Sequence, residues 1–288
     1  MPIRRSPTTL LLLVLLAACS EESGNSSVSS TVTVVPIRLV GTDPVIEVKI
    51  NGVPFNVQFD IGISSTVAIF PIELESIDKQ RVGSTSSGLS MSGPTGKRPI
   101  YKVGLLEVGD IKFWQADVVE DFHDEDYQNW FSSRLDAHGF IGTGLFDRYK
   151  MVIDYPGKEL TLIPPDAPTG QQALCEGIEL PLVQGEDWGL ISNVETDDGR
   201  FVLVWDTGSP ESGVLKRRTD LSNLNLEDGD IYSTKQFIIN DHDIGPETLV
   251  VWDWSENSPP FDGFIGYDFF AENVVCVDLL NYRIVLPD

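Results

Sequence analysis

Histidine, cysteine and positive charge are all scarce in this 288-residue chain. It has three histidines, three cysteines and 20 basic side chains against 44 acidic ones, a formal net charge of -24. The acidity excludes a nucleic-acid binder, because a phosphate backbone is held by Lys and Arg. Two readings of the acidity remain, solubility alone or attraction of a cationic partner. No pair of cysteines has the spacing of a zinc site. There is no Gly-x-Ser-x-Gly elbow, phosphate-binding loop or His-Glu-x-x-His segment. The apolar run Leu10 to Leu16 falls far short of the roughly 20 residues that a membrane-spanning helix needs.

The N-terminus instead has the layout of an export signal. Arg4 and Arg5 form a positive head, the Leu10–Leu16 run follows, and Ala17 and Ala18 supply small residues as at a cleavage site. The segment Leu16-Ala17-Ala18-Cys19 resembles the bacterial lipobox. That resemblance implies cleavage before Cys19 and acylation of its thiol, with several acyl chains holding the protein to a membrane. Ser20 in the next position implies sorting to the outer membrane, facing the periplasm of a bacterial envelope. The other reading is an ordinary secretory signal followed by a chance cysteine. Residues 1–18 are thus a signal peptide, and 19–31, polar and rich in Ser, a flexible tether. Removing the signal takes away Arg4 and Arg5 and no acid, leaving 18 basic and 44 acidic side chains. Export puts Cys175 and Cys276 in an oxidising compartment, so a disulfide and a pair of buried thiols both stand.

The body is duplicated. The stretch GFIGTGLFDRYKMVIDYPGKELTLI, from Gly139, aligns without a gap to GFIGYDFFAENVVCVDLLNYRIVLP, from Gly263. Gly-Phe-Ile-Gly is common to both; Phe146 matches Phe270, Asp154 matches Asp278, and Leu162 matches Leu286. Upstream, Phe55 to Gly62 matches Phe201 to Gly208, each an apolar-rich run ending in Asp-x-Gly. Further on, Asp110-Ile111 falls opposite Asp243-Ile244 within stretches that read as hairpins.

Short β-branched and aromatic runs punctuated by Gly, Pro and Asp give an all-β chain. Val45 to Ile50 alternates apolar and polar. Little helix is expected, with short turns at Leu145–Tyr149 and Phe269–Glu272. The first copy covers 32–165, a proline-rich linker 166–175, and the second copy 176–288. The run Glu120 to Asp126, with His123 inside it, reads either as a solvated loop or as oxygen ligands for a divalent cation. It lacks the layout of a helix-loop-helix calcium site.

Two Asp-x-Gly turns, each followed by an apolar-apolar-Gly segment and a strand, make the chain resemble the retropepsin-like aspartic proteases. The resemblance covers most of residues 40–288 and implies two β-barrel halves forming a bilobal, pepsin-like fold in one chain. It implies a catalytic dyad of Asp60 and Asp206. Gly62 and Gly208 would allow close approach at the turns, and Ser64 and Thr207 would supply supporting hydroxyls. Two adjacent carboxylates share a proton, so one site provides both acid and base, and no cofactor or metal is required. An extended peptide would be the substrate, a monomer with internal two-fold pseudo-symmetry the expected state, and the lipid at Cys19 the membrane contact. A hairpin over residues 84–100 would serve as lid, its other reading being a surface loop. The sequence departs from the pattern at two places. Ile61 stands where the family has Thr or Ser, and Pro210 stands where copy one has Ser64. These departures favour the alternative of an inactive relative that binds a peptide or envelope partner.

Overall fold

The computed structural model describes residues 31–85, 89–90, 93–94, 96–121, 123–183, 189–216, 226–227, 230–253 and 261–287. Residues 1–30, which hold the expected signal peptide, Cys19 and most of the expected tether, lie outside the described residues. The protein is mostly β, with 50 % strand and 14 % helix.

Alternation of side chains sets the first sheet. In strand Asp43–Ile50, Val48 and Ile50 are buried while Glu47 and Lys49 are exposed, the period of two that a half-buried strand requires. This strand pairs antiparallel with Val53–Phe59 across an Asn51-Gly52 turn, where both residues have positive φ. The order then runs through Gly139–Ile141, Val67–Ile69, Ile111–Glu120 and Pro99–Val108. A second pairing of Val48 with Val108 returns to the start, which closes a six-stranded barrel.

The second copy repeats this order through Leu190–Thr196, Arg200–Trp205, Gly263–Ile265, Gly213–Leu215, Thr248–Trp252 and Ile231–Ser233. It stays a half-barrel. The long hairpin of copy one is here broken: Ile231–Ser233 is separated from Phe237–Ile239, and His242–Asp243 from Thr248–Trp252. The hairpin registers also refine the sequence alignment. Ile111 pairs with Val108 and His242 with Ile239, so the Gly109-Asp110 turn corresponds to Asn240-Asp241, two residues before the Asp243 that the sequence alignment picks.

A third sheet joins the copies. Its six strands run Thr33–Pro36, Glu159–Ile163, Lys150–Asp154, Val275–Asp278, Arg283–Pro287 and Gly177–Pro181, three from each side of the linker. At its centre Val152 pairs with Cys276. Each lies two residues before the matched aspartate of its repeat, Asp154 or Asp278, so each residue pairs with its own repeat counterpart. A local two-fold axis therefore passes through this pair. Cys276 is bonded to Cys175, with Cα atoms 5.5 Å apart, which fixes the linker to the central sheet and settles the choice left open by the sequence. The linker itself carries two short helical turns, Thr169–Gln172 and Ala173–Cys175.

Helix Glu125–Leu135 is a departure from the sequence reading. It occupies part of the acidic run taken for a solvated loop or cation site. Asp124 caps it by accepting the Tyr127 N–H at 2.9 Å, Glu125 and Asp126 fill the first turn, and Arg134 the last. Tyr127, Phe131 and Leu135, four residues apart, face a side core with Phe70 and Phe140. Asp121 accepts from the backbone N–H and the Nδ1 of His123, at 2.9 and 2.7 Å. Among the described residues no group of three or more His, Cys, Asp or Glu is placed to hold a metal. The two expected turns are helical but begin earlier, at Thr143–Leu145 and Tyr267–Glu272.

Candidate functional site

Asp60 and Asp206 each sit one residue past the end of a buried strand, Val53–Phe59 and Arg200–Trp205. Each strand lies parallel to a Gly-Phe-Ile segment: Phe59 pairs with Ile141, Trp205 with Ile265. The backbone N–H of Asp60 donates to Ile141 O at 2.9 Å and that of Asp206 to Ile265 O at 3.0 Å. The last glycine of each Gly-Phe-Ile-Gly packs against the chain after the turn. A Cβ on Gly142 would lie 2.5 Å from Ile63 O, and one on Gly266 2.3 Å from Glu211 O. Only glycine permits that approach.

The two turns meet face to face. Gly62 N–H donates to Asp60 Oδ1 at 2.7 Å, and Gly208 N–H to Asp206 Oδ1 at 2.8 Å. A Cβ on Gly62 would stand 2.7 Å from Cγ of the opposite Asp206 and 3.0 Å from Asp60 Oδ1. One on Gly208 would stand 2.9 Å from Asp60 Oδ2 and 3.2 Å from Asp206 Oδ1. The paired carboxyls are thus sandwiched between two glycines, with no room for any other residue on either side. The structure brings together Asp60, Asp206, Gly62, Gly208 and Thr207 from segments almost 150 positions apart.

Burial is the first electrostatic fact about the pair. It holds the Asp60 carboxyl well above the usual carboxylate range, and the charge of Asp206 and a hydrogen bond with it push further the same way. Burial also raises Asp206, but the hydrogen bond from Asp60 and the N–H groups of Gly208 and Ser209 hold that rise back. Both carboxyls are deeply enclosed yet keep part of their surface open to solvent. Both shifts run the same way, toward holding a proton on the pair that two separate aspartates would have lost.

The supports are one-sided. Thr207 is fully buried, and its Oγ1 accepts from Ile61 N–H at 3.0 Å and donates to Phe59 O at 2.9 Å. Ile61, in the corresponding place, is fully buried and packs in the common core. Tyr155, which the sequence reading passed over, donates its hydroxyl to Thr207 O at 3.4 Å. Ser64 is exposed. Near Asp60 the backbone N–H groups of Gly62 and then Ile63, not a hydroxyl, favour the carboxylate. In copy two the hydroxyl that braces the site is Ser212, four residues past Gly208. It donates to Asp268 Oδ1 at 2.6 Å and accepts Gly266 N–H at 2.9 Å. Its counterpart Thr66 uses its backbone, accepting Gly142 N–H at 2.9 Å. The signal for Ser212 was its distance from the turn, equal to that of Thr66 from Gly62.

Of the expected lid, residues 86–88, 91–92 and 95 lie outside the described residues. Gln80–Ser84 pairs with the start of Pro99–Val108, and Leu89–Ser90 with Gly93–Pro94, as a hairpin. The sequence matches no protein-family model and no curated protein sequence.

Proposed function

We propose that this chain is an aspartic endopeptidase of bilobal, retropepsin-like build, tethered by lipid at Cys19 in a bacterial envelope. The single observation that carries the reading is the pairing of Asp60 and Asp206 between two glycines on matched turns. Asp206, the more easily ionised of the two, takes a proton from a water. Asp60 donates its proton to the substrate carbonyl, and the water oxygen adds to the carbonyl carbon. Collapse of the tetrahedral intermediate passes a proton to the leaving amine, and the peptide bond breaks without a covalent enzyme adduct. An extended peptide fits because strands that flank a cleft recognise backbone by β-addition.

One observation favours a second reading, a module that holds a peptide without cutting it. Ile61 gives the first turn no hydroxyl to match Thr207, so the brace between the turns is single. Asp206→Asn separates the two readings. An enzyme loses turnover at least about a hundredfold with peptide affinity little changed. A binder shows no turnover in either form and the same affinity in both.

A further inference from the structure

On the outer face of the closed barrel, away from the two aspartates, the ladder between Pro99–Val108 and Ile111–Glu120 misses one rung. Trp114 pairs with Leu105 and Ala116 with Val103, which leaves Gln115 opposite Gly104 with no pairing between them. Gln115 has φ 52°, the left-handed region, in the middle of a strand. A residue with a long side chain adopts that conformation at a cost, and such strain gathers at functional sites. Gly104 adds no side chain opposite it, and a Cβ there would sit 3.1 Å from Asn51 Oδ1. An open groove of about 390 Å³ lies on this face, lined by Gly104 and Gln115 among others.

The lining sets the chemistry. Asn51, Asp78, Lys79, Gln80, Lys102 and Gln115 supply polar groups of both charges, and Val103 is the one apolar side chain. Both cations are engaged: Lys102 pairs with Asp117 at 2.6 Å, and Lys79 donates to Leu74 O. An anion would meet Asp78, a cation would meet two lysines, and an apolar ligand would find little to cover it. Asn51 keeps one N–H beyond its bond to Asp78 O at 2.7 Å. Gln80 and Gln115 are exposed, so the amide of each offers donors and an acceptor to a molecule in the groove. Amides of this kind match a neutral ring bearing several hydroxyls.

We infer that this groove binds a saccharide, with the amides of Gln80, Gln115 and Asn51 reading its hydroxyls. The site is separate from the paired aspartates and stands whether or not they hydrolyse peptides. Trp114, next to Gln115 and 57 % exposed, is its natural reporter.

The test titrates the folded chain from residue 20 with triacetylchitotriose, maltotriose and mannotriose, with phosphate and spermidine as controls. The readout is the NMR shifts of the Trp114 indole and the Gln80 and Gln115 side-chain amides. At least one sugar is expected to bind with a dissociation constant of about 1 mM or tighter. Gly104→Val, which fills the space opposite Gln115, should weaken that binding at least about tenfold. Gln115→Gly should weaken it as much while raising the melting temperature, because it removes the amide and relieves the backbone. The proposal is overturned if no sugar shifts these resonances, if phosphate or spermidine binds more tightly than every sugar, or if both variants bind as the wild type does.

Discussion

The Thr207 hydroxyl crosses from one Asp-x-Gly turn to the other, accepting the Ile61 N–H at 3.0 Å and donating to Phe59 O at 2.9 Å. One buried side chain thus ties together the two segments that carry Asp60 and Asp206. Thr207→Val keeps the shape and removes both bonds, leaving a buried N–H and C=O to find partners. Stability should fall by about 2–4 kcal/mol in urea denaturation. Thr207→Ser, which keeps the hydroxyl, should recover most of it.

Ile61 stabilises the same interface by apolar burial alone. Ile61→Ala should cost about 2–5 kcal/mol through lost burial and the cavity left behind. Ile61→Thr should cost less than Ile61→Ala, since its hydroxyl can brace the second turn as Thr207 braces the first. A double-mutant cycle with Thr207→Val measures the coupling. Independent effects, adding to within about 0.5 kcal/mol, would mean that the two turns are not braced against each other.

Proton linkage gives a pH dependence with a definite sign. Asp60 and Asp206 are raised above ordinary carboxylates, so the folded chain holds protons that the unfolded chain has lost. Stability is fullest below the unfolded pKa near 4 and declines as pH rises through the folded values. Asp60→Asn should therefore stabilise the fold at neutral pH. Glu247 adds to the trend independently. Burial first, then the neighbouring charges of Asp268 and Glu272, push it up from 4.5 to about 7. Its share is lost between those two values. Because the group keeps some contact with water, Glu247→Gln should flatten the curve there by only about 1–2 kcal/mol. Urea denaturation at pH 4, 5.5, 7 and 8.5 checks both variants.

The Cys175–Cys276 bond closes a loop with a sequence separation of 101. A loop of that length corresponds to about 4–5 kcal/mol of lost chain entropy in the unfolded state. A Cys175→Ser, Cys276→Ala double variant should lose stability of that order. Full reduction should bring the wild type to the same value, measured by denaturation with and without reductant.

Much of the fold was legible because duplication supplies an internal control. The pairing of Asp60 with Asp206, and the seating of each turn on a Gly-Phe-Ile-Gly segment, follow from two patterns in register. The strands follow from alternation such as Val48, Lys49, Ile50. The helix Glu125–Leu135 was misread because Glu125 and Asp126 hid it: acids suit a helix N-terminus as well as a loop. The spacing of Tyr127, Phe131 and Leu135 after Asp124 was the signal that could have revealed it. Tyr155 escaped because it acts across the fold, on a partner that no local pattern names, and Ser212 because its counterpart Thr66 braces the site through its backbone. The disulfide was open because Cys175 and Cys276 are joined by sheet geometry, which spacing does not encode.

The most direct test of the central claim incubates residues 20–288 with a diverse peptide mixture from pH 3 to 8 and reads the fragments by mass spectrometry, with Asp60→Asn and Asp206→Asn alongside. Cuts favoured at acidic pH that vanish in both variants are expected, since neither carboxyl can do the work of the pair. Cuts that persist in either variant would contradict a shared site. A folded wild type that cuts nothing at any pH would contradict the peptidase and leave the binding module.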